Sequence, residues 1–500
     1  MEVKDLSSIG PKTVLLCCSI FTVIYAIMAF HKPLWGDELL MLITVRRPFV
    51  EGLLQRSDYS APLYQLILRL FIHNDFAPEW IIRAPAFLSA IFSLISIWWF
   101  TKIIANKRHI ALITTALVAI NPVFTSYAAE GRPYTFFLLF SVLSFGTFYL
   151  SLDRSKLSYF LLYIISTVIL IYSHYYGFLV LLSQFVFFII DVILIKFEKN
   201  RIKFSISFLA ILFLVTPALF LISRYILTGT PGTFFIPRPR ITDLIWPMQE
   251  VDILFGNAGM GAIIMASLII SILYSIKHSG NKSSHMMNPA RSHTSHWWLE
   301  NRKTILCALW IFNSLFLLIW ISYFWRPVYL YRYTIPVIVP FTIMFVMQID
   351  RLSKYYQWII LFFVICLMIP GTAGAILEVR NDYPALVNEL RKINDDHSEV
   401  FVTNWAYTEK FINTEVWGLK YYGYNEPGIK LIKWNYPFGN SIQDDSQFPV
   451  DKRFFVVAFA GKKIITKYLE QQPRAFRIKH FKWLDLIEVE KQGERARWLK

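Results

Sequence analysis

The chain has 500 residues, of which 55% are hydrophobic and 17% aromatic, and its formal net charge at pH 7 is +16. A soluble domain has less apolar content than this and does not repeat runs of about eighteen almost uncharged residues. Lysine and arginine occur in short clusters between the apolar runs, which is typical of loops beside a membrane and argues against nucleic-acid binding. The four cysteines lie within apolar runs without metal-type spacing, so they indicate neither a disulfide framework nor a metal site.

The apolar runs predict about eleven transmembrane helices, because only helices and closed barrels satisfy their backbone in lipid and the runs are too long for barrel strands. The predicted spans are residues 13–31, 81–101, 110–126, 133–151, 158–173, 175–195, 205–225, 259–277, 304–324, 332–349 and 357–375. The first span runs into His31-Lys32-Pro33 without a small-residue cleavage site, so we expect a membrane anchor and not a cleaved signal peptide.

The connectors between these spans alternate between a basic set and a set with few basic residues. The basic set carries Lys102, Lys107, Arg108, Arg154, Lys156, Lys196, Lys199, Arg201, Lys203, Lys277, Lys282, Arg291, Arg302, Lys303, Arg351 and Lys354. The positive-inside rule places this set in the cytoplasm. The sequence therefore predicts an integral plasma (inner) membrane protein with a cytoplasmic N-terminus and with two long external connectors, 32–80 and 226–258.

Residues 376–500 differ in composition from the membrane domain, 1–375, because charges become frequent and the long apolar runs end. Short β-type runs alternate with helix-type segments, which predicts a small α/β domain on the external side. The β-type runs are Glu399–Thr403, Arg453–Ala460, Ile478–His480 and Leu484–Val489, and the helix-type segments include Tyr383–Ile393 and Thr408–Tyr421. The histidine-rich connector 278–296 lies on the predicted cytoplasmic side, away from every other motif, so we assign no metal site to it.

The connector 32–80 opens with two adjacent acids, Asp37 and Glu38, directly after the first span. Amphipathic segments on both sides of 58–62 predict helices that lie flat in the membrane interface and roof a cavity above Asp37. A carboxylate at the mouth of a helix bundle can act as a general base on a hydroxyl nucleophile, or can ligate a divalent ion beside a phosphate. The alternative interpretation is that the two acids only cap the helix that follows them.

Several short motifs accompany these acids, each at the outer end of a predicted span. They are the Ala-Pro-Leu-Tyr stretch ending at Tyr64, Glu79 with Arg83-Ala84-Pro85, the run Tyr127-Ala128-Ala129-Glu130-Gly131-Arg132-Pro133-Tyr134, His174-Tyr175-Tyr176-Gly177, and Arg332-Tyr333-Thr334-Ile335-Pro336. Together they resemble the protein O-mannosyltransferase and aminoarabinose transferase (PMT/ArnT-like) superfamily of GT-C fold glycosyltransferases, which use polyprenyl-phosphate sugars. The sequence departs from many relatives at Ser60-Ala61-Pro62, where they carry a basic residue before two prolines.

The resemblance implies a mainly α-helical GT-C bundle and a role for each matched residue. Asp37, accompanied by Glu38, corresponds to the catalytic acid of the first loop, and either acid is the candidate ligand if a divalent metal ion takes part. Arginines suit the donor phosphate, because the guanidinium binds phosphate oxygens as a fork. The residues implied for donor binding are Arg83, Arg132, Arg332 and Tyr333, and those implied for the acceptor or cavity are Glu130, Tyr134, His174, Tyr175 and Tyr64.

For the charged residues among these, and for His174, the alternative is an interfacial anchor or a local ion pair, such as Glu130 with Arg132. The resemblance implies transfer of a sugar from a polyprenyl-phosphate donor to a hydroxyl acceptor, with inversion, on the external face. A rival interpretation is a carrier or flippase of lipid-linked sugars, which is expected to place polar residues near mid-membrane and often to repeat its halves. A second rival is a structural subunit of an envelope complex, which needs none of these motifs.

Overall fold

The computed structural model describes residues 11–54, 61–72, 77–195, 200–228, 236–245, 247–256, 260–278, 293–394, 398–403, 414–424, 429–432, 448–449, 452–458, 462–472, 474–482 and 484–491. The segment around Asp58 and most of the histidine-rich connector therefore lie outside the described residues. Within the described part, the chain up to residue 377 is almost entirely helical, and a small sheet follows it.

The membrane domain consists of eighteen described α-helices in chain order. They are α1 Pro11–His31, α2 Gly36–Arg46, α3 Phe49–Leu54, α4 Pro62–Arg69, α5 Glu79–Ala105, α6 Arg108–Ala119, α7 Pro122–Ala128, α8 Tyr134–Arg154, α9 Leu157–Ser173, α10 Gly177–Ile195, α11 Arg201–Leu214, α12 Thr216–Thr228, α13 Met248–Phe255, α14 Met260–His278, α15 His293–Ile311, α16 Leu317–Phe324, α17 Ile338–Ile349 and α18 Lys354–Leu377. Short 3-10 helices at Ile241–Leu244 and Tyr331–Val337 and a π-helical turn at Phe312–Phe316 complete it.

Helices occupy every predicted span, but fewer of them than predicted are long and apolar enough to cross a membrane. Among the described residues, seven helices are long and apolar enough to cross a membrane, and nine if each of two bent pairs is one span. The pair α6 and α7 bends by 66° where Pro122 follows Asn121, whose side chain caps α7 by accepting the N–H of Phe124 at 3.0 Å. A mainly helical membrane bundle is therefore confirmed, and the count of about eleven spans stays a prediction.

Aromatic side chains fill the centre of the bundle. Trp310 stacks on Phe145 with 4.0 Å between ring centroids and meets Phe100 edge-on at 6.0 Å. All three side chains are fully buried. Such pairs add dispersion and quadrupole attraction to the burial of large apolar surfaces, so they fix the helices against one another.

The predicted cytoplasmic end of the bundle has its own polar contacts. Asp350, at the end of α17, accepts from Lys107 at 2.5 Å and contacts His109 at 2.6 Å, which ties α17 to the α5–α6 turn. At the end of α8, Asp153 accepts from Arg302 of α15 at 3.1 Å. Where they are described, the basic connectors after α5, after α8 and after α17 and the start of α15 thus come together in pairs, as their alternation along the sequence predicts, and which side of the membrane they face stays a prediction.

The C-terminal part forms a five-stranded sheet with helices α19 Tyr383–Ile393, α20 Thr414–Tyr421 and α21 Lys462–Glu470. Its strands are β1 Glu399–Thr403, β2 Ile429–Ile432, β3 Phe454–Ala458, β4 Phe476–Phe481 and β5 Leu484–Val489. Their order is β2-β1-β3-β5-β4, with β1 parallel to β2 and β3, and with β5 antiparallel to β3 and β4. Two predicted β-type runs coincide with β1 and β5, the run Arg453–Ala460 contains β3, and the run Ile478–His480 is only the inner part of β4, while β2 was not predicted. Helix α19 has the predicted bounds, and the first residues of the segment predicted to end in α20 lie outside the described residues.

This C-terminal domain rests on the first long connector. Buried apolar residues of α2, α4 and the start of α5 form one cluster with residues of α19, α20 and the sheet. Polar contacts reinforce the junction: the hydroxyl of Tyr422 accepts the Leu34 N–H at 2.7 Å and contacts Glu79 at 3.2 Å, and the Tyr421 hydroxyl donates to the Ala77 carbonyl at 2.7 Å. The domain therefore packs against the segment that carries Asp37 and Glu38.

Candidate active site at one end of the helix bundle

The motifs that are dispersed in the sequence meet at one end of the bundle because each lies where a helix begins or ends. Asp37 and Glu38 are in the first turn of α2, and Arg83 is in the second turn of α5. Glu130 and Arg132 form the turn between α7 and α8, His174 follows α9, and Arg332 and Tyr333 lie in the 3-10 helix before α17. Folding the bundle is therefore what assembles the charged groups.

Glu38, Arg83 and Gly131 form a closed group, which we call the Glu38 hub. The Glu38 carboxylate is fully buried and accepts two bonds from the Arg83 guanidinium, both at 2.7 Å. It also accepts the Gly131 backbone N–H at 2.7 Å and the Trp35 backbone N–H at 3.3 Å. The last contact is a helix cap, so the capping interpretation fits Glu38.

Arg83 uses every N–H of its guanidinium inside the protein. Besides the two bonds to Glu38, it donates to the carbonyls of Ala29, Lys32 and Pro33 at 2.9, 2.6 and 3.0 Å. These carbonyls belong to the end of α1 and to the residues that follow it. Arg83 thus ties the exit of α1 to the start of α2, and this geometry leaves it no N–H for a donor phosphate.

Asp37 and Arg332 form a second ion pair, which we call the Asp37 pair. Arg332 Nη1 donates to Asp37 Oδ2 at 3.0 Å, and the two side chains are 15% and 19% exposed. The Asp37 side chain does not cap α2, in contrast to Glu38. Arg332 Nε is buried and has no hydrogen-bond partner among the described residues, so the guanidinium keeps donor capacity for a further oxygen.

Aromatic rings surround the Arg332 guanidinium. It lies 5.8 Å from the ring centroids of both Tyr134 and Tyr333, which is within cation–π range. His174 is buried behind these rings and stacks on Phe137 at 4.6 Å. Burial, together with the charges of Arg132 and Arg332, lowers the pKa of His174 to about 3, so this histidine is a neutral wall of the site and not an acid.

Glu130 is a second buried carboxylate near Asp37. Its Oε2 accepts from Arg380 Nη1 at 2.9 Å, and its Oε1 is buried without a hydrogen-bond partner among the described residues. Its pKa is raised to about 7, because burial and the charges of Glu38 and Asp37 outweigh the lowering effect of Arg380. The expected Glu130–Arg132 pair is replaced by Glu130–Arg380, and Arg132 Nη1 instead donates to the backbone carbonyl of Asp37 at 3.4 Å.

The two remaining predicted residues lie at the edge of this assembly. Tyr64, in α4, is fully buried, and its hydroxyl donates to the Ile82 carbonyl at 3.0 Å, one residue before Arg83. Its ring meets Phe136 edge-on at 5.6 Å. Tyr175 is half-buried and packs against the helix core. Tyr64 thus stabilises the backbone next to Arg83 of the hub, and neither tyrosine lines the larger cavity of the site.

A cavity of about 270 Å³ opens beside Arg380 and Tyr127. Its polar end carries Ser126, Tyr331 and Glu378 as well, and its other walls are apolar faces of α7, α13 and α18 that include Val123, Ile253 and Ala375. The Tyr127 hydroxyl donates to that of Tyr331 at 3.2 Å, directly before Arg332 in the chain. This size is close to the lower limit of about 300 Å³ for ligand pockets, and the mix of apolar wall and polar end suits an amphiphile.

Arg380 is a site residue that the motifs did not point to. Within the described residues, no three His, Cys, Asp or Glu side chains converge as a metal-binding set. The oxygens of Glu38 are already taken by Arg83 and by backbone N–H groups, so of the two candidate metal ligands only Asp37 keeps a carboxylate that a ligand can reach. The signal that could have found Arg380 is its position shortly after the last span, at the same end of the bundle as Arg132 and Arg332, which the motifs had identified.

Comparison with known proteins supports the resemblance. Residues 59–220 match the sequence model of the family described as dolichyl-phosphate-mannose-protein mannosyltransferase. The fold is similar to that of ArnT from Cupriavidus metallidurans in the apo state, with a TM-score of 0.57 at 10% identity over 97% of this chain and 99% of that chain. The structure of the same protein bound to undecaprenyl phosphate gives a TM-score of 0.54 at 10% identity over 97% of this chain and 100% of that chain.

A more distant similarity exists to the Archaeoglobus fulgidus oligosaccharyltransferase, in its complex with Zn and sulfate. The TM-score is 0.52 at 11% identity, over 88% of this chain and 67% of that chain. No curated protein matches the chain significantly. The predicted fold is confirmed: the chain is a helical membrane protein with an ArnT-like fold, and the family match covers residues 59–220.

Proposed function

We propose that this PMT/ArnT-like membrane glycosyltransferase moves a sugar from a polyprenyl-phosphate donor to a hydroxyl acceptor on the extracytoplasmic face, with inversion at the anomeric carbon. The observation that carries the proposal is the Asp37 pair, in which a partly accessible carboxylate and a guanidinium with an unused Nε lie 3.0 Å apart. A base for the acceptor and a cation for the leaving phosphate are the two groups that such a transfer needs.

The geometry supports an exchange at Arg332. In the structure Arg332 donates to the Asp37 carboxylate, which is therefore already paired. A donor phosphate that binds the guanidinium as a fork through its two Nη nitrogens competes with Asp37 for Nη1. Once Arg332 turns to the phosphate, Asp37 is released and can accept a proton. Donor binding would thereby switch on the base, which limits wasteful reaction when the donor is absent.

The chemical step follows from this arrangement. The acceptor hydroxyl transfers its proton to Asp37 while its oxygen forms a bond to the anomeric carbon on the face opposite the phosphate. The bond between that carbon and the phosphate oxygen breaks, and polyprenyl phosphate leaves with the electron pair. Arg332 stabilises the charge that develops on the leaving oxygen. The similarity to ArnT, whose structure was also solved with undecaprenyl phosphate, makes a polyprenyl phosphate the leaving group that we test first.

The cavity beside Tyr127 and Arg380 is our candidate for the donor head group. Its apolar walls suit the first isoprenoid units, and its tyrosine and serine hydroxyls suit a sugar. Asp37, Tyr134 and the neutral His174 would then face the acceptor. The Glu38 hub contributes by fixing the backbone from which Asp37 projects, and Arg83 is on this proposal a positioning residue and not a phosphate ligand.

The test uses the full chain in proteoliposomes with a panel of radiolabelled polyprenyl-phosphate sugars and membrane-extracted acceptors. We expect transfer with release of polyprenyl phosphate, and we expect Arg332→Gln to reduce kcat by about 100-fold or more, because it removes the charge that stabilises the leaving phosphate. Arg351→Gln, which changes an exposed arginine beyond the other end of α17, is the matched control and should be neutral. Movement of lipid-linked sugar across the bilayer without transfer would overturn the proposal and favour a carrier.

A further inference from the structure

Arg380 lies in the short segment between α18 and the C-terminal domain, outside all the motifs that identified the site. Its side chain is 11% exposed, and its guanidinium bonds to Glu130 at 2.9 Å. It also lies over the Trp35 ring at 4.3 Å from the centroid, and its Nη2 reaches the Ser126 hydroxyl at 3.4 Å. One side chain therefore contacts both segments that carry the acids of the site.

The residues that Arg380 contacts are close in the chain to those that hold Asp37 and Glu38. Trp35 is the N-cap residue of α2, two positions before Asp37, and its carbonyl accepts the Glu38 N–H at 2.9 Å. Glu130 precedes Gly131, which donates to Glu38, and Arg132, which donates to the Asp37 carbonyl. A shift of Arg380 is thus expected to displace the N-terminus of α2 and the α7–α8 turn together.

The C-terminal domain fixes the position of Arg380. The next residue, Asn381, forms an isolated antiparallel β-bridge with Lys482 between β4 and β5, and Asp382 caps α19 by accepting the Ala385 N–H at 3.1 Å. On the other side, Lys32 donates to the Ala375 carbonyl of α18 at 2.7 Å. The segment is held at both ends, so docking of the domain decides where the guanidinium of Arg380 lies.

We propose that Arg380 is a positioning residue through which the docked C-terminal domain completes the transfer site. Its guanidinium balances the Glu130 carboxylate and packs on Trp35, and so it holds α2 with Asp37 in the arrangement that reacts. The proposal rests on the proposed function and deepens it, because it gives the C-terminal domain a direct part in assembling the site. An unpaired buried carboxylate is costly, which makes the Arg380–Glu130 contact a strong determinant of this arrangement.

Other charges face Glu130 as well and define what Arg380 must balance. Asp37 and Glu38 approach from α2, and Arg332 approaches from the 3-10 helix before α17. Glu378 lies in the same segment as Arg380, with its Oε2 3.6 Å from Arg380 Nε. Lys32 and Arg83 line the same small cavity as Glu130. Among the described residues, Arg380 is the cation that bonds directly to Glu130, so no neighbour replaces it without rearrangement.

The test measures kcat and KM for transfer by Arg380→Gln, Arg380→Lys, Glu130→Gln and the double variant Arg380→Gln/Glu130→Gln. We expect Arg380→Gln to lower kcat by about 10- to 100-fold with a smaller change in KM, and we expect lysine to restore part of it. In the Glu130→Gln background the same change should cost little more, because its partner is already neutral. Arg391→Gln, which removes an exposed arginine bonded to the Gly423 carbonyl in the same domain, is the control.

A second readout does not need transfer. It is the thermal unfolding, in detergent, of the wild type, Arg380→Gln, Glu130→Gln and the double variant. Non-additive shifts of the unfolding temperature, with the double variant more stable than the sum of the single changes, support the contact between Arg380 and Glu130. Additive shifts, or a normal kcat for folded Arg380→Gln, would overturn the proposal. If the wild type transfers no sugar at all, the proposed function fails, and the unfolding cycle alone still decides whether Arg380 acts through Glu130.

Discussion

The two acids at the centres of the Glu38 hub and the Asp37 pair are adjacent in the sequence, but their environments are opposite. Glu38 is fully buried, and its carboxylate receives four hydrogen bonds from Arg83 and two backbone N–H groups. Asp37 is partly exposed and, among the described residues, pairs with Arg332, whose Nε has no partner there. An ion pair whose hydrogen-bond donors and acceptors are all in use can only stabilise the fold. A pair with a donor that is still available can exchange its partner for a ligand. The comparison assigns stability to Glu38 and chemistry to Asp37.

The largest effect on stability is expected from Arg83→Gln. This change leaves the Glu38 carboxylate buried without its counter-ion and removes the bonds to three carbonyls, so we expect a loss of about 3–5 kcal/mol. Thermal or denaturant unfolding of the detergent-solubilised protein measures it. The control is Arg302→Gln, whose bridge to Asp153 at 3.1 Å is partly exposed and should contribute at most about 1 kcal/mol. Equal losses in the two variants would mean that the hub is not a special structural element.

A smaller effect is expected from Gly131→Ala, which perturbs the hub without changing a charge. A β-carbon at this position would lie 2.7 Å from Ile82 Cγ2 and 3.3 Å from Glu38 Oε1. The α7–α8 turn must then move away from α5, which we expect to cost about 1–3 kcal/mol. Gly374→Ala, where a β-carbon has open space, is the matched control. A Gly131→Ala protein as stable as this control would show that the close approach is not needed.

These structural distinctions mark the limit of what the sequence could predict. Long apolar runs fixed the helices, and the regular alternation of basic connectors correctly grouped Asp37, Glu130, His174 and Arg332 at one end of the bundle. The pattern could not tell Asp37 from Glu38, because adjacent residues on a helix point in different directions and only the packed neighbours decide their partners. Arg380 was missed since its partner Glu130 lies 250 positions away in the sequence.

The smallest expected effect is a pH dependence that comes from Glu130. Its raised pKa, about 7, means that the folded protein holds this proton more tightly than the unfolded chain. The stabilisation from this group is therefore fully present below the ordinary carboxyl pKa of about 4.3 and is lost as the pH rises through about 7. Protonation also weakens the contact with Arg380, so we expect the transfer rate to fall several-fold between pH 8 and pH 6.

The measurement is the pH profile of kcat for the wild type and Glu130→Gln. The variant should lack the step near pH 7, because its amide does not titrate. A step that persists unchanged in Glu130→Gln would assign the titration to another group and would remove Glu130 from the electrostatic description of the site.

The most direct test of the difference between the two acids is a paired measurement of unfolding and of kcat per folded molecule for Asp37→Asn and Glu38→Gln. We expect Asp37→Asn to unfold near the wild-type temperature, because its amide oxygen still accepts from Arg332, and to lose about 100- to 10,000-fold in kcat as a missing general base. We expect Glu38→Gln to be strongly destabilised but to retain measurable transfer in its folded fraction. A fully active Asp37→Asn protein, together with a stable and inactive Glu38→Gln protein, would contradict the account.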